Sequence, residues 1–315
     1  MNSILSKAKL GSQPGARPPV AVELSPRGVL ASALPGPGQP AVFAFEPLPE
    51  GALVPGIGEP NLRAPEVVAN AMRAALGQVA PRTRSVTLIV SDIVVRVFVL
   101  DFDSLPGKPS EAIPVLRFRL RKMIPFEVEH AGLGYQVLVE NKNECRVLAA
   151  VLPGPVLQEY EAAARQAGYE PGAVLPTSLA ALAAIDSTEP VLAANLGALA
   201  LTTSITHGQD LLLYRTLDLP EDPELRLQEV QRGIAVAAAY YEDKVGARPQ
   251  LLYYAGIGAG MGEGGTNAAE DFARWIENPE LSVVDLAPRP ETGAATPLGN
   301  LVSLAGVLGA LAGAA

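Results

Sequence analysis

A chain of 315 residues is too long for one compact core, so two domains, or two lobes around a cleft, are expected. Its formal charge of −9 excludes nucleic acid as the main partner, because phosphate binding needs a basic field. Although 49% of the residues are hydrophobic, no run of about eighteen uncharged apolar residues occurs, which excludes a conventional membrane-spanning helix. The single cysteine, Cys145, excludes an internal disulfide, fits a reducing cytoplasm, and falls in an apparent strand as a packing residue. His130 and His207 lie far apart with no ligand spacing around either, so zinc chemistry and a Ser-His-Asp triad are unsupported.

In chain order, residues 1–18 read as a flexible tail that lacks the continuous apolar core of a secretory signal. Strands are expected at 20–24, 28–34 and 41–45, then a helix at 65–76. Two β-branched runs follow at 86–90 and 94–100, hinged at Ser91-Asp92. A basic amphipathic helix should end near Lys122, because Pro125 disfavours helix at Ile124 and cannot donate an interior helical hydrogen bond. Strands at 134–138 and 146–152, a helix at 155–167 stopped by Gly168, a short strand at 173–175 and a helix at 177–184 complete the first half. The second half begins in the same way, with strands at 191–195, 198–206 and 210–217 turned at Gly197 and at His207-Gly208. Pro223 suits the first turn of a long helix at 224–245, with Leu225, Val230, Ile234, Ala237 and Tyr241 at near-helical spacing and Gly246 just past its end. A strand at 251–254, a glycine loop, a helix at 267–276, a strand at 281–286 and an apolar closing helix from about 298 follow. Three strands, a helix, then alternating strand and helix therefore occur twice. An ordinary doubly wound α/β protein also alternates, but it does not usually lead each half with a three-strand meander.

Residues 110–138, SEAIPVLRFRLRKMIPFEVEHAGLGYQVL, run from a charged helix through Ile124-Pro125-Phe126 and acidic Glu127 and Glu129 into a strand. This order resembles the PilM family, the cytoplasmic actin-like components of type IV pilus assembly, whose relatives include the GspL-type secretion proteins. Residues 146–164, RVLAAVLPGPVLQEYEAAA, followed by Ala167-Gly168-Tyr169-Glu170-Pro171, are similar to that family's strand, helix and turn. Glu229-Val230-Gln231-Arg232 leading to Tyr240-Tyr241, and Leu251 to Gly256 as an adenosine-side strand and turn, extend the likeness. It runs from about Val86 to the end and matches poorly over the first eighty residues.

The resemblance implies an α/β, actin-like (ribonuclease H-like, duplicated) two-lobe fold with an inserted subdomain. The expected division is a first lobe at 19–83 and 168–188, the insertion at 84–167, a second lobe at 189–296, and a closing helix at 297–315 packing back on the first lobe. In that superfamily two hairpins clamp nucleotide phosphates, each with an Asp for Mg²⁺ and a glycine turn. At the first clamp Glu23 replaces the Asp, Ser25 replaces a turn glycine, Pro26 deletes a backbone donor, and Arg27 offers charge. At the second, Asn195-Leu196-Gly197 stands for D-x-G, while Gly256 and Gly258 open a third, adenine-side loop. Glu23, Ser25, Arg27, Asn195, Gly197, Gly256 and Gly258 are thus expected to line a degenerate nucleotide cleft holding ATP weakly, with no catalytic residue and no metal ligand.

By the same resemblance the chain is expected to be a cytoplasmic scaffold, peripheral to the inner membrane, of a type IV pilus or related type II secretion complex. It would bind the short cytoplasmic tail of a PilN-like membrane protein, with the assembly motor as a further partner and only indirect membrane association. The groove in that family lies between the insertion and the lobe beneath it, and Arg119, Lys122, Met123, Ile124 and Phe126 are expected on its wall. The alternative is an active ATPase or sugar kinase of the same superfamily, which would need an Asp positioned beside metal-bound phosphate.

Overall fold

The computed structural model describes residues 17–36, 38–58, 60–141, 144–208, 210–256, 268–287 and 302–312. The first half opens with β1 (Val20–Ser25), β2 (Gly28–Ala33) and β3 (Val42–Pro47), a meander whose first turn is the two residues Pro26-Arg27. Gly28 is required there, because a Cβ on it would lie 2.4 Å from the Glu46 carbonyl oxygen. Next come α1 (Pro65–Val79), which starts with proline in its first turn as helices tolerate, and β4 (Ser85–Val90). A 3₁₀ turn at Asp92–Val94 leads into β5 (Arg96–Phe102), α2 (Pro109–Leu120), β6 (Gly132–Glu140) and β7 (Cys145–Leu152). The chain then returns through α3 (Gly154–Ala167), which Gly168 closes in the left-handed region at φ 92°, to β8 (Glu170–Pro176) and α4 (Thr177–Leu182).

The second half repeats the plan with β9 (Pro190–Leu196), β10 (Ala200–His207), β11 (Asp210–Asp218), α5 (Pro223–Val245), β12 (Leu251–Tyr254), α6 (Ala268–Ile276) and β13 (Ser282–Asp285). The Asp222 side chain caps α5 by accepting from the Glu224 and Leu225 N–H groups at 3.0 and 2.9 Å. Finally α7 (Ala305–Ala312) packs on α4, β1 and β2 of the first half. Sheet order makes the duplication explicit: β3-β2-β1-β4-β8 in one lobe and β11-β10-β9-β12-β13 in the other, each a meander extended by two parallel strands.

Residues 84–167, expected as one insertion, divide between two cores. β4 hydrogen-bonds β1 and β8 within the first lobe's sheet, and α3 packs on α1 through Val156, Tyr160, Ala163 and Ala164. The segment between them forms a separate antiparallel sheet, β5-β7-β6. One face of it is covered by α2, whose Ala112, Leu116 and Leu120 repeat every four residues and meet Leu100, Val147, Ala149 and Val151. The opposite face presents Val97, Val99, Leu138 and Leu148 to Leu179 and Leu182 of α4 and to Leu211 and Tyr214 of β11. Each leucine buried in that seam contributes about 1.5–3 kcal/mol, so the small sheet is fastened to both lobes. The helix α2 stops at Leu120, two residues before its expected end, where the Met123 N–H turns back to the Leu120 carbonyl.

Candidate functional site

The two meanders aim their first hairpins at each other. Glu23, Ser25 and Arg27 from β1 and its turn face Asn195 and Gly197 from β9 and its turn, and Gly256, beyond β12, forms a third corner. Six of the seven residues selected from sequence therefore line one cleft, with a cavity of about 90 Å³. Gly258 lies outside the described residues.

Glu23 is half-buried as a residue, but one of its carboxyl oxygens, Oε2, is shut off from solvent and has no hydrogen-bond partner among the described residues. A Cβ on Gly306 of α7 would lie 2.7 Å from that oxygen. The other oxygen is 3.2 Å from Thr177 Oγ1, which also sits 3.1 Å from the Val90 carbonyl oxygen. The Thr177 hydroxyl is thus within donating reach of two acceptors with one proton for them, the Glu23 carboxyl and the Val90 carbonyl. Burial pushes the Glu23 pKa up to about 8, the charge of Asp92 adds to the rise, and the Thr177 contact opposes it.

Asp92 anchors the floor of the cleft. Its Oδ1 accepts from the Ser178 backbone N–H at 3.0 Å and from the Tyr214 hydroxyl at 3.1 Å, while Oδ2 accepts from the Ser178 hydroxyl. Asn195 Nδ2 donates to the same Ser178 Oγ at 2.9 Å. Burial raises the Asp92 pKa, and the Ser178, Tyr214 and Thr202 hydrogen bonds hold that rise back. At the second turn the Gly197 N–H donates to the Ala200 carbonyl at 2.9 Å. The Arg226 guanidinium of α5 then ties down the Ala198 and Gly197 carbonyls at 2.9 and 2.8 Å. Gly256 is confined by Tyr254, whose hydroxyl would lie 2.4 Å from an added Cβ.

A second concavity, a groove of about 360 Å³, opens between the small sheet and the first lobe. Its walls are the start of β6 at Gly132 and Gly134, Leu157 of α3, and β8 at Ala173 and Val174. Both β6 and β8 are edge strands of their sheets. Glu161 is the one charged residue in its wall among the described residues.

None of Arg119, Lys122, Met123, Ile124 and Phe126 lines this groove. Arg119 instead borders an open concavity with Asp101, Asp103 and Glu144. Lys122 and Met123 are exposed in the turn after α2, whereas Ile124 is buried and Phe126 half-buried in the core under that helix. The physical reason is the sheet itself: α2 covers one face, and the groove forms at the β6 edge beside the first lobe. Sequence reasoning also passed over Phe118, which is 77% exposed on the outer side of α2, and the Asp92 cluster, whose members come from three separate elements.

Two sheets of identical strand order, each led by a meander and joined across a cleft between facing hairpins, define an actin-like two-lobe α/β fold. The chain is similar over 96% of its length to a chain of a PilM–PilN type IV pilus biogenesis complex, which is covered completely, with a TM-score of 0.72 and 18% identity. It is also similar to the cytoplasmic domain of EpsL, an inner-membrane component of the type II secretion system of Vibrio cholerae. That likeness has a TM-score of 0.50 at 15% identity, over 93% of this chain and 92% of the other. No protein-family model matches the chain, and no curated protein matches it at a significant level. The likeness is one of fold.

Proposed function

We propose that this chain is a cytoplasmic scaffold of a type IV pilus or related secretion assembly, peripheral to the inner membrane. Its groove between the small sheet and the first lobe takes the cytoplasmic tail of a PilN-like membrane protein, and the assembly motor is a further partner. The observation that carries this reading is the groove itself. It is apolar, its walls at Gly132, Gly134 and Ala173 are almost bare of side chains, and two edge strands flank it. Edge strands offer unpaired backbone donors and acceptors, which an extended peptide can satisfy while a few apolar anchors fill the space between. Among the described residues no helix is long and apolar enough to cross a membrane.

The cleft supports a passive role. A Mg²⁺ site needs ionised oxygens free to face the cation. Burial holds the Glu23 pKa well above the usual carboxylate range and packs the group beneath α7, while the Asn195 amide is neutral and donates toward Ser178. Asp92, which also lines the cleft, has both oxygens engaged by Ser178 and Tyr214, so the described residues do not suit a divalent cation. A cavity of about 90 Å³ is also small beside the ~300–1,000 Å³ of ordinary small-molecule pockets.

Calorimetry of the full chain with a synthetic peptide of the PilN-like tail tests the groove. Wild type binds, Ala173→Arg abolishes binding with little change in Tm, and Arg119→Glu binds as wild type does. Undiminished binding to Ala173→Arg would place the partner elsewhere.

A further inference from the structure

We infer that Asp92 positions the walls of the groove and so links groove occupancy to the state of the cleft; this rests on the groove reading above. Two short connections separate the concavities, and each faces both. In the first, Asp92 lines the cleft while Val95, three residues on, lines the groove. In the second, Pro176 lines the groove while the next residue, Thr177, lines the cleft. Ser178, at the start of α4, joins the two connections by donating both its N–H and its hydroxyl to Asp92. Tyr214 of β11 brings in the second lobe through the hydroxyl it donates to the same carboxylate. Asn195 of the second clamp closes the ring on Ser178.

Each connection thus passes from the lining of one concavity to that of the other within a few residues, and the Asp92 carboxylate joins the two connections through Ser178. The 3₁₀ turn is rigid in its own right, with the Val94 N–H donating to the Ser91 carbonyl and the Val95 N–H to the Asp92 carbonyl, both at 3.2 Å. Val94 and Val95 are buried in the first lobe's core. Val95 and Pro176, both buried at the base of the groove, are the points where a peptide between β6 and β8 would meet the connections that carry Asp92 and Ser178. Energy exchanged in this way is reciprocal between the two sites. Asp92 and Tyr214 are positioning residues here, since neither lines the groove.

The experiment compares tail-peptide affinity in wild type and Tyr214→Phe, which deletes one hydroxyl from the cluster and leaves the ring packed. Tyr214→Phe should weaken binding at least about fivefold, the lower bound of ordinary inter-site coupling, and Asp92→Asn should act in the same direction. Ile276→Ala, at the end of α6 in the second lobe's core and in neither concavity's lining, serves as a destabilised control and should leave the affinity unchanged. Peptide should also slow amide exchange at Ser178 in wild type and fail to do so in Tyr214→Phe. The inference falls if Tyr214→Phe binds within about twofold of wild type, or if Ile276→Ala weakens binding equally, which would make the effect one of general stability. Absence of binding to wild type would remove the groove reading, and this inference with it.

Discussion

Glu23 stands in the cleft where the family resemblance leads one to expect a metal-binding Asp, yet its surroundings are those of a neutral acid. The unfolded chain releases this proton near the ordinary value of 4.5, whereas the folded protein keeps it up to about pH 8. Between those limits the folded state holds the extra proton. The stability that Glu23 contributes is thus complete below about pH 4.5 and is lost as pH rises through 8, by up to about 1.4 kcal/mol per pH unit. Glu23→Gln, which keeps the shape and cannot ionise, should match wild type near pH 5 and exceed it in Tm near pH 8.5. Parallel Tm curves for the two proteins across that range would show that Glu23 is ionised in the fold. Its neighbour Asp92 was the least legible residue of the site. In the run Val90-Ser91-Asp92-Ile93-Val94 it reads as a simple hinge, and its meaning comes from Ser178 and Tyr214, 86 and 122 residues further on.

Among the elements, helix glycines illustrate how packing decides the sign of a substitution. Gly77 of α1 is exposed and an added Cβ would meet nothing within 4 Å, so Gly77→Ala should stabilise by about 0.5–1 kcal/mol through helix propensity. Gly309 of α7 faces α4, and its Cβ would lie 2.0 Å from the Ala180 carbonyl oxygen. There the gain in propensity is overwhelmed, because the two helices must separate, and Gly309→Ala should destabilise by about 1–3 kcal/mol. Urea denaturation of both variants checks the pair, and a loss at Gly77 or a gain at Gly309 would contradict it. Most elements were legible for local reasons: period-two apolar runs bounded by turn residues, Pro223 opening α5, Gly168 and Gly246 closing α3 and α5. The ownership of β4 and α3 was not legible. The apolar run of β4 does not say that its partners are β1, more than sixty residues before it, and β8, eighty after it. Residues 84–167 therefore looked like one unit. That six of the expected residues would share one cleft was legible because they fall in a few adjacent positions of two hairpins, which a family resemblance can align. The groove walls were not, since glycine and alanine on edge strands carry no chemical signature in a sequence.

For the whole molecule, the two lobes, the cleft and the small sheet work as one body. The cleft chemistry predicts that calorimetry with ATP gives either no heat or a dissociation constant unchanged by chelating magnesium. Micromolar binding that requires Mg²⁺, accompanied by turnover, would mean that Glu23 ionises and coordinates when nucleotide enters. The small sheet has a further consequence. Its central strand β7 is flanked on both sides by hydrogen-bonded neighbours, and both of its faces are dry, one under α2 and the other against α4 and β11. A central strand buried on both faces acts as a dowel driven through two blocks. The lobes cannot swing about a free hinge, because any wide opening must first draw Leu148 and its neighbours out of their sockets in the other lobe. Breathing of this molecule is then a cooperative uncoupling rather than a flexing, and the amides of β7 would be among the last to exchange with solvent.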